Sequence, residues 1–184
     1  MRSRFALLMA RHAPSWMIAF LLIAAAMAAG VALAAELEQE RIPLLVLDIE
    51  LVGDLGTGEL AAEHAARIEK SSALLREELS RLNAYRIIDA TPVQAAIDSA
   101  RATQYLHRCN GCELDIAKQA GAHEVLVVWV HRVSQLILSL KFEIRRVPDG
   151  EVVYGRAFDF RGDNDASWAR AVKYMVRDIQ AQVD

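Results

Sequence analysis

The chain has 184 residues, of which 54% are hydrophobic and 24% charged, with two cysteines and a formal charge of −3. Those proportions exclude a disordered tail, a collagen-like repeat, a polytopic membrane protein and a disulfide-dense mini-protein. Residues 1–34 hold Arg2, Arg4 and Arg11 and no acid, leaving 18 Lys+Arg against 24 Asp+Glu in the remainder, a formal −6; a body this acidic argues against nucleic acid as the main partner, because phosphate binding needs clustered Lys and Arg.

The N-terminus reads as an export signal. Three arginines precede an uncharged run from Ser15 to Ala35, and Ala32-Leu33-Ala34 places alanine at both small-residue positions of a signal-peptidase site. The expectation is a signal segment over 1–34 and one exported domain over 35–184, working in the periplasm. The alternative is an uncleaved inner-membrane anchor, because the run exceeds the usual ~7–15 apolar residues and approaches the ~20 of a spanning helix. The membrane is then touched only through that segment.

Ile42 to Leu51 is a compact β-rich run in which Asp48 and Glu50 alternate with Leu47, Ile49 and Leu51. Both acids are expected near the exposed C-terminal end of this strand, where α/β sheets bind ligands. A glycine-bearing loop leads into an amphipathic helix over about 60–82, with Ala65, Ile68, Ser72, Leu75, Leu79 and Leu82 as its inner stripe. Glu63 with Arg67 and Glu77 with Arg81 are spaced as i,i+4 pairs on its wet side. Tyr85 to Ile88 is a short strand, and Thr91-Pro92-Val93-Gln94 reads as a cap and first turn of a helix to about Ala102. Another helix starts at Cys112 and stops at Gly121.

Val125 to Val130 is apolar on both faces and belongs in the middle of the sheet. Leu136, Leu138, Leu140, Phe142 and Ile144 alternate with polar neighbours as a half-exposed strand, and Val147-Pro148-Asp149-Gly150 is a tight turn returning into Val152–Phe160. Asp163-Asn164-Asp165 caps a last helix with Trp168, Val172, Met175, Ile179 and Val183 on one face. The fold class is α/β: one domain with a mixed sheet of about five strands in the order β-α-β-α-α-β-β-β-α.

Two stretches carry a resemblance: CNGCELDIAKQAGAHEVLVVWVHRVSQLILSL and DFRGDNDASWARAVKYMV. They resemble an uncharacterised family of short exported bacterial proteins with a C-x-x-C-E segment and an R-G-x-x-D-x-S-W start to the last helix. The strand order is similar to that of the TolB amino-terminal domain and of CsgG-like periplasmic domains. The resemblance implies a partner-binding module of the envelope and no known catalytic residues. It also implies an accessory role beside a periplasmic oxidation system.

Cys109 and Cys112 are the only cysteines, and in an oxidising compartment they pair with each other. A structural local disulfide is the first reading, with Asn110-Gly111 supplying the positive φ of a tight turn. Redox activity is the second, because Cys112 opens a helix whose dipole lowers a thiol pKa. A metal site on His107, Cys109 and Cys112 is the third and needs a fourth ligand, for which Glu113 is the near candidate. Haem attachment is excluded, since Glu113 stands where a histidine is required. Gly53, Gly56 and Gly58 match neither G-x-G-x-x-G nor the G-K-[ST] ending, so no cofactor is expected. Asp48, Glu50, Asp163 and Asp165 are the ligand- or partner-binding candidates. The function expected is a non-enzymatic periplasmic binding or assembly protein whose sheet edge and loops hold a protein partner. The alternative is thiol–disulfide or metal handling at the cysteine pair.

Overall fold

The computed structural model describes residues 41–183; the expected signal segment lies outside the described residues. These form one mixed α/β domain with a six-stranded sheet and four α-helices. The strands are β1 (Ile42–Val46), β2 (Glu50–Gly53), β3 (Tyr85–Ile87), β4 (Glu124–Arg132), β5 (Ile137–Arg146) and β6 (Val152–Arg161). The helices are α1 (Glu59–Ser80), α2 (Gln94–Arg101), α3 (Cys112–Gln119) and α4 (Asp165–Val183). The sheet runs β3-β1-β4-β5-β6, with β2 also on β4. β1 pairs parallel with β3 and β4, while β4, β5 and β6 form an antiparallel meander. Val125 to Val128 are all buried, as an apolar run on both faces of a central strand requires.

α1 and α4 cover one face, where Leu75, Leu79, Trp168, Val172 and Met175 join Leu44, Val46 and the inward side chains of β5. α2, α3 and the segment between them cover the other face, packing Ile97, Leu106, Cys109 and Ile116 against Leu45, Leu47, Val125 and Val127.

The expected first strand is two. Val46 stands opposite Leu126 and Glu50 opposite Trp129, so four steps on one chain meet three on β4. The extra residue reverses the alternation. Leu47 lies in the α2/α3 core and Ile49 in the α1/α4 core, where unbroken alternation would put them together. Asp48 sits in the break, and Glu50 opens β2 as a buried residue.

α1 also differs from its expected stripe. Its C-terminal half buries Ser72, Leu75 and Leu79, but its first half buries His64 and Arg67 and leaves Ala65 exposed. Arg67 therefore does not serve Glu63 on a wet face, whereas Glu77 and Arg81 do pair, at 2.5 Å. The Thr91 cap is likewise replaced: Thr91 donates its N–H and hydroxyl to Asp89 Oδ1, at 3.0 and 2.8 Å. Of the three residues expected to cap α4, Asn164 accepts from the Ser167 N–H at 3.0 Å, Asp165 opens the helix, and Asp163 turns inward. Leu136 and Val183, expected inside, are exposed.

Candidate functional site

The break between β1 and β2, the start of α1 and the segment after α2 enclose a groove of about 750 Å3. Its apolar floor includes Ile49, Leu51, Leu55 and Ile68, and its rim carries Arg101, Thr103, Gln104, Tyr105 and Arg108. Two buried polar clusters hold its walls.

The first cluster is built on Glu50. Its carboxylate accepts from the backbone N–H groups of Leu106 and His107, at 2.7 and 3.0 Å, and engages His107 Nδ1 at 2.6 Å. The imidazole stacks on Trp129 with ring centroids 4.6 Å apart. Arg145 donates to the His107 carbonyl at 2.9 Å and also to Glu113. Segment 105–108 is thus tied to β2, β4 and β5, and it presents Tyr105 with the Arg108 guanidinium 4.9 Å above its ring.

The same wall continues into the cysteine pair. Cys109 and Cys112 form a disulfide with Cα atoms 5.6 Å apart. Asn110 and Gly111 both have positive φ, 58° and 110°, as the tight closure expected from Asn-Gly requires. Glu113 is buried beside it, accepting from the Gly111 N–H at 3.2 Å and placing Oε2 3.0 Å from Cys109 Sγ. Possible ligand atoms of Cys109, Cys112 and Glu113 lie within 4.8 Å of one another, whereas the His107 Nδ1 is engaged by Glu50. Four residues make a very short ring, so the chain-entropy contribution is only about 2 kcal/mol. Replacing both cysteines with serine should lower the melting temperature by a few degrees and leave the helical circular dichroism intact. A drop above about 15 °C would make the bond a main stay of the fold.

The second cluster is built on Asp163, whose side chain is 5% exposed. Oδ2 accepts from Arg132 Nε and faces His64 Nε2, both at 2.8 Å; Oδ1 accepts from Arg67 Nη1 at 2.9 Å and Trp168 Nε1 at 3.1 Å. His64 Nδ1 lies 2.8 Å from the Leu55 carbonyl. Both ring nitrogens therefore lie against oxygen atoms of the chain. Burial by itself would raise the Asp163 pKa, but the hydrogen bonds from Arg132 and His64 outweigh it and hold the carboxyl below the ordinary carboxylate range. One acid thereby gathers the β2–α1 loop, α1, β4 and α4.

All four acids picked out by pattern are engaged by the chain's own donors. Asp48 bridges Arg76 of α1 at 2.5 Å and Arg101 of α2 at 2.9 Å. Asp165 pairs with Arg67 at 3.1 Å and Lys70 at 2.9 Å. Of the four, Glu50 alone lines the groove; Asp48 reaches it through Arg101 and Asp163 through His64. The residues that face its opening, Arg101, Tyr105 and Arg108, were not singled out by pattern. Isolated cations and one tyrosine in a polar stretch carry no periodic signal, and their convergence follows from the Glu50 tether.

A model of family DUF3280, described as "Protein of unknown function (DUF2380)", matches residues 43–179, in keeping with the resemblance to an uncharacterised family. No curated protein matches the chain significantly. Solved structures that resemble it include the LpoB C-terminal domain from Salmonella enterica, at 17% identity over 64% of this chain and 81% of that one, with a TM-score of 0.42. The PelC dodecamer from Paraburkholderia phytofirmans gives 13%, 76% and 84%, with a TM-score of 0.44. Lipoprotein GNA1162 from Neisseria meningitidis gives 16%, 74% and 95%, with a TM-score of 0.40.

Proposed function

We propose that this chain, which belongs to the family described as "Protein of unknown function (DUF2380)", is a non-enzymatic binding or assembly module of the bacterial envelope. Its N-terminal segment, cleaved or kept as an anchor, delivers the domain to the periplasm. One observation carries the reading. The groove between α1 and segment 101–108 is a concave site with an apolar floor and a few convergent polar groups, and buried clusters set its walls in advance. Such a site binds with little ordering cost. The acids that could serve as general acids or bases near it are instead held by cations and backbone donors, an arrangement that supports positioning over proton transfer. The resemblance to a family of exported proteins favours a protein component of the envelope as partner, with an accessory role beside a periplasmic oxidation system as its finer form.

Placing a photo-cross-linking residue at Thr103, on the groove rim, should capture an envelope component in cells. The same residue at exposed Lys118, on the outer side of α3, should not.

A second reading rests on the Glu113 carboxylate beside Cys109 Sγ. In a reduced protein that carboxylate would sit where a base could take a thiol proton. If Thr103 captures nothing while the purified protein catalyses thiol–disulfide exchange, that reading replaces the first.

A further inference from the structure

The long edge of the sheet runs beside a basic helix face. β6 ends the sheet order and is ten residues long, whereas the opposite edge, β3, has three. Among the described residues no strand pairs with the outer side of β6. On such an edge every second residue turns its N–H and C=O outward, a template for another extended chain. Proline is one common means of blunting an edge, and β6 has none.

α4 runs along this edge and carries Arg170, Lys173, Tyr174 and Arg177 at three- and four-residue spacing, all exposed. They form one stripe. With Arg161 they line a groove of about 690 Å3 between β6 and α4, in which Asp159 is the one acid. The local balance is four cations to one anion on a body whose formal charge is −6. Among the described residues no carboxylate pairs with Arg161, Arg170 or Arg177; Arg170 donates to Ser167 Oγ at 2.9 Å and Arg177 stands 6.0 Å over the Tyr174 ring. Lys173 Nζ is 3.9 Å from Glu78, which already pairs with Arg81 at 2.9 Å.

We propose that β6 is a docking edge for an extended acidic segment of a partner polypeptide, which adds to the sheet as a further strand. Its backbone bonds to the outward N–H and C=O groups of β6, and its acidic side chains meet Arg170, Lys173 and Arg177. The spacings agree. Alternate residues of a strand lie about 6.7 Å apart, and successive members of the helix stripe about 5 Å apart. A segment with an acid at every second position therefore brings two or three carboxylates within reach of these long side chains. Main-chain pairing supplies affinity, and the charged stripe selects the sequence. The inference rests on the reading of the domain as a partner-binding module and names a second surface and the partner's chemistry.

The test is fluorescence anisotropy with the full chain and a labelled ten-residue peptide of alternating glutamate and valine. Saturable binding is expected, and it should weaken at least about tenfold when Arg170→Glu, Lys173→Glu and Arg177→Glu are combined, since all three are exposed and reverse the field the peptide meets. Methylating alternate amides of the peptide, in one of the two phases, should weaken binding to the unmodified protein by a similar factor, because only that phase donates to β6. Equal binding of a lysine–valine peptide, or indifference to the charge reversals or to both methylation phases, overturns the proposal. So does tighter binding of a ten-thymidine oligonucleotide, which would make the stripe a phosphate-binding surface. If the peptide fails while Thr103 captures an envelope component, this inference falls and the binding-module reading stands; if both fail, both fall.

Discussion

Replacing Asp163 with alanine is expected to cost about 3–5 kcal/mol of stability, the range for removing one partner from a buried ion-pair network. The carboxylate holds His64, Arg67 and Arg132, and side chains of all three are 10% exposed or less. Without it the Trp168 indole N–H also loses its acceptor. Asp165 retains part of Arg67 and Asp54 part of Arg132, so His64 is the most completely stranded. Urea denaturation at neutral pH measures the change as a lower midpoint with an unchanged slope. A loss below about 1 kcal/mol would mean that water enters and replaces the carboxylate, and the cluster would then not be the keystone of this end of the sheet.

The same residue sets an acid limit. Its folded pKa is lowered, so between the folded and unfolded values the folded chain binds fewer protons than the unfolded one. The stabilisation is therefore complete above the ordinary value of about 4 and disappears as pH falls through the lowered folded value. Asp48, Asp54 and Asp165 are shifted the same way and add to the trend. The Asp163→Asn variant should start lower in stability at pH 7 and lose less of it between pH 5 and 3. Parallel pH curves for the two proteins would contradict this account.

Replacing Glu50 with alanine should have the next largest effect, about 2–4 kcal/mol, because it leaves two backbone N–H groups and an imidazole without their acceptor. The Leu106 amide is the costliest orphan, since that residue is 1% exposed. Native-state hydrogen exchange should show the amides of 106 and 107 losing protection while Val125 to Val130 keep theirs. Glu50→Gln retains an acceptor oxygen and should cost roughly half as much. If protection at 106 and 107 is unchanged in the alanine variant, Trp129 stacking and Arg145 hold the segment without Glu50, and the groove wall has another anchor.

The parts of the fold read from sequence are those with a strong hydrophobic pattern. The Leu138/Leu140/Phe142/Ile144 alternation and the α4 face around Trp168 each repeat a hydrophobic period over two or more turns or pleats, and Val125–Val130 is marked by an unbroken apolar run. The split of the first strand left no such mark. IPLLVLDIEL reads as one strand, and only the unequal count against β4 places an extra residue at 47–49. The first half of α1 misled for a related reason. His64 and Arg67 look like solvent-facing residues until Asp163, nearly a hundred positions later, folds back onto them.

By itself, the sequence determined the element types, the α/β class, the central strand and the adjacency of two cysteines three positions apart. Those features depend on local spacing and on apolar surface seeking cover, both of which are written along the chain. Tertiary structure decided which acids are free and which are engaged. Asp48, Glu50, Asp163 and Asp165 are alike in sequence as carboxylates at element ends, yet each is engaged by donors that lie 28 or more positions away, the Trp168 indole on Asp163 being the short-range exception. It also decided that Arg101, Tyr105 and Arg108 share one groove and that Arg161 and the α4 cations share another. A charge acts on whatever the fold brings within a few ångströms, and that neighbour cannot be read from position along the chain.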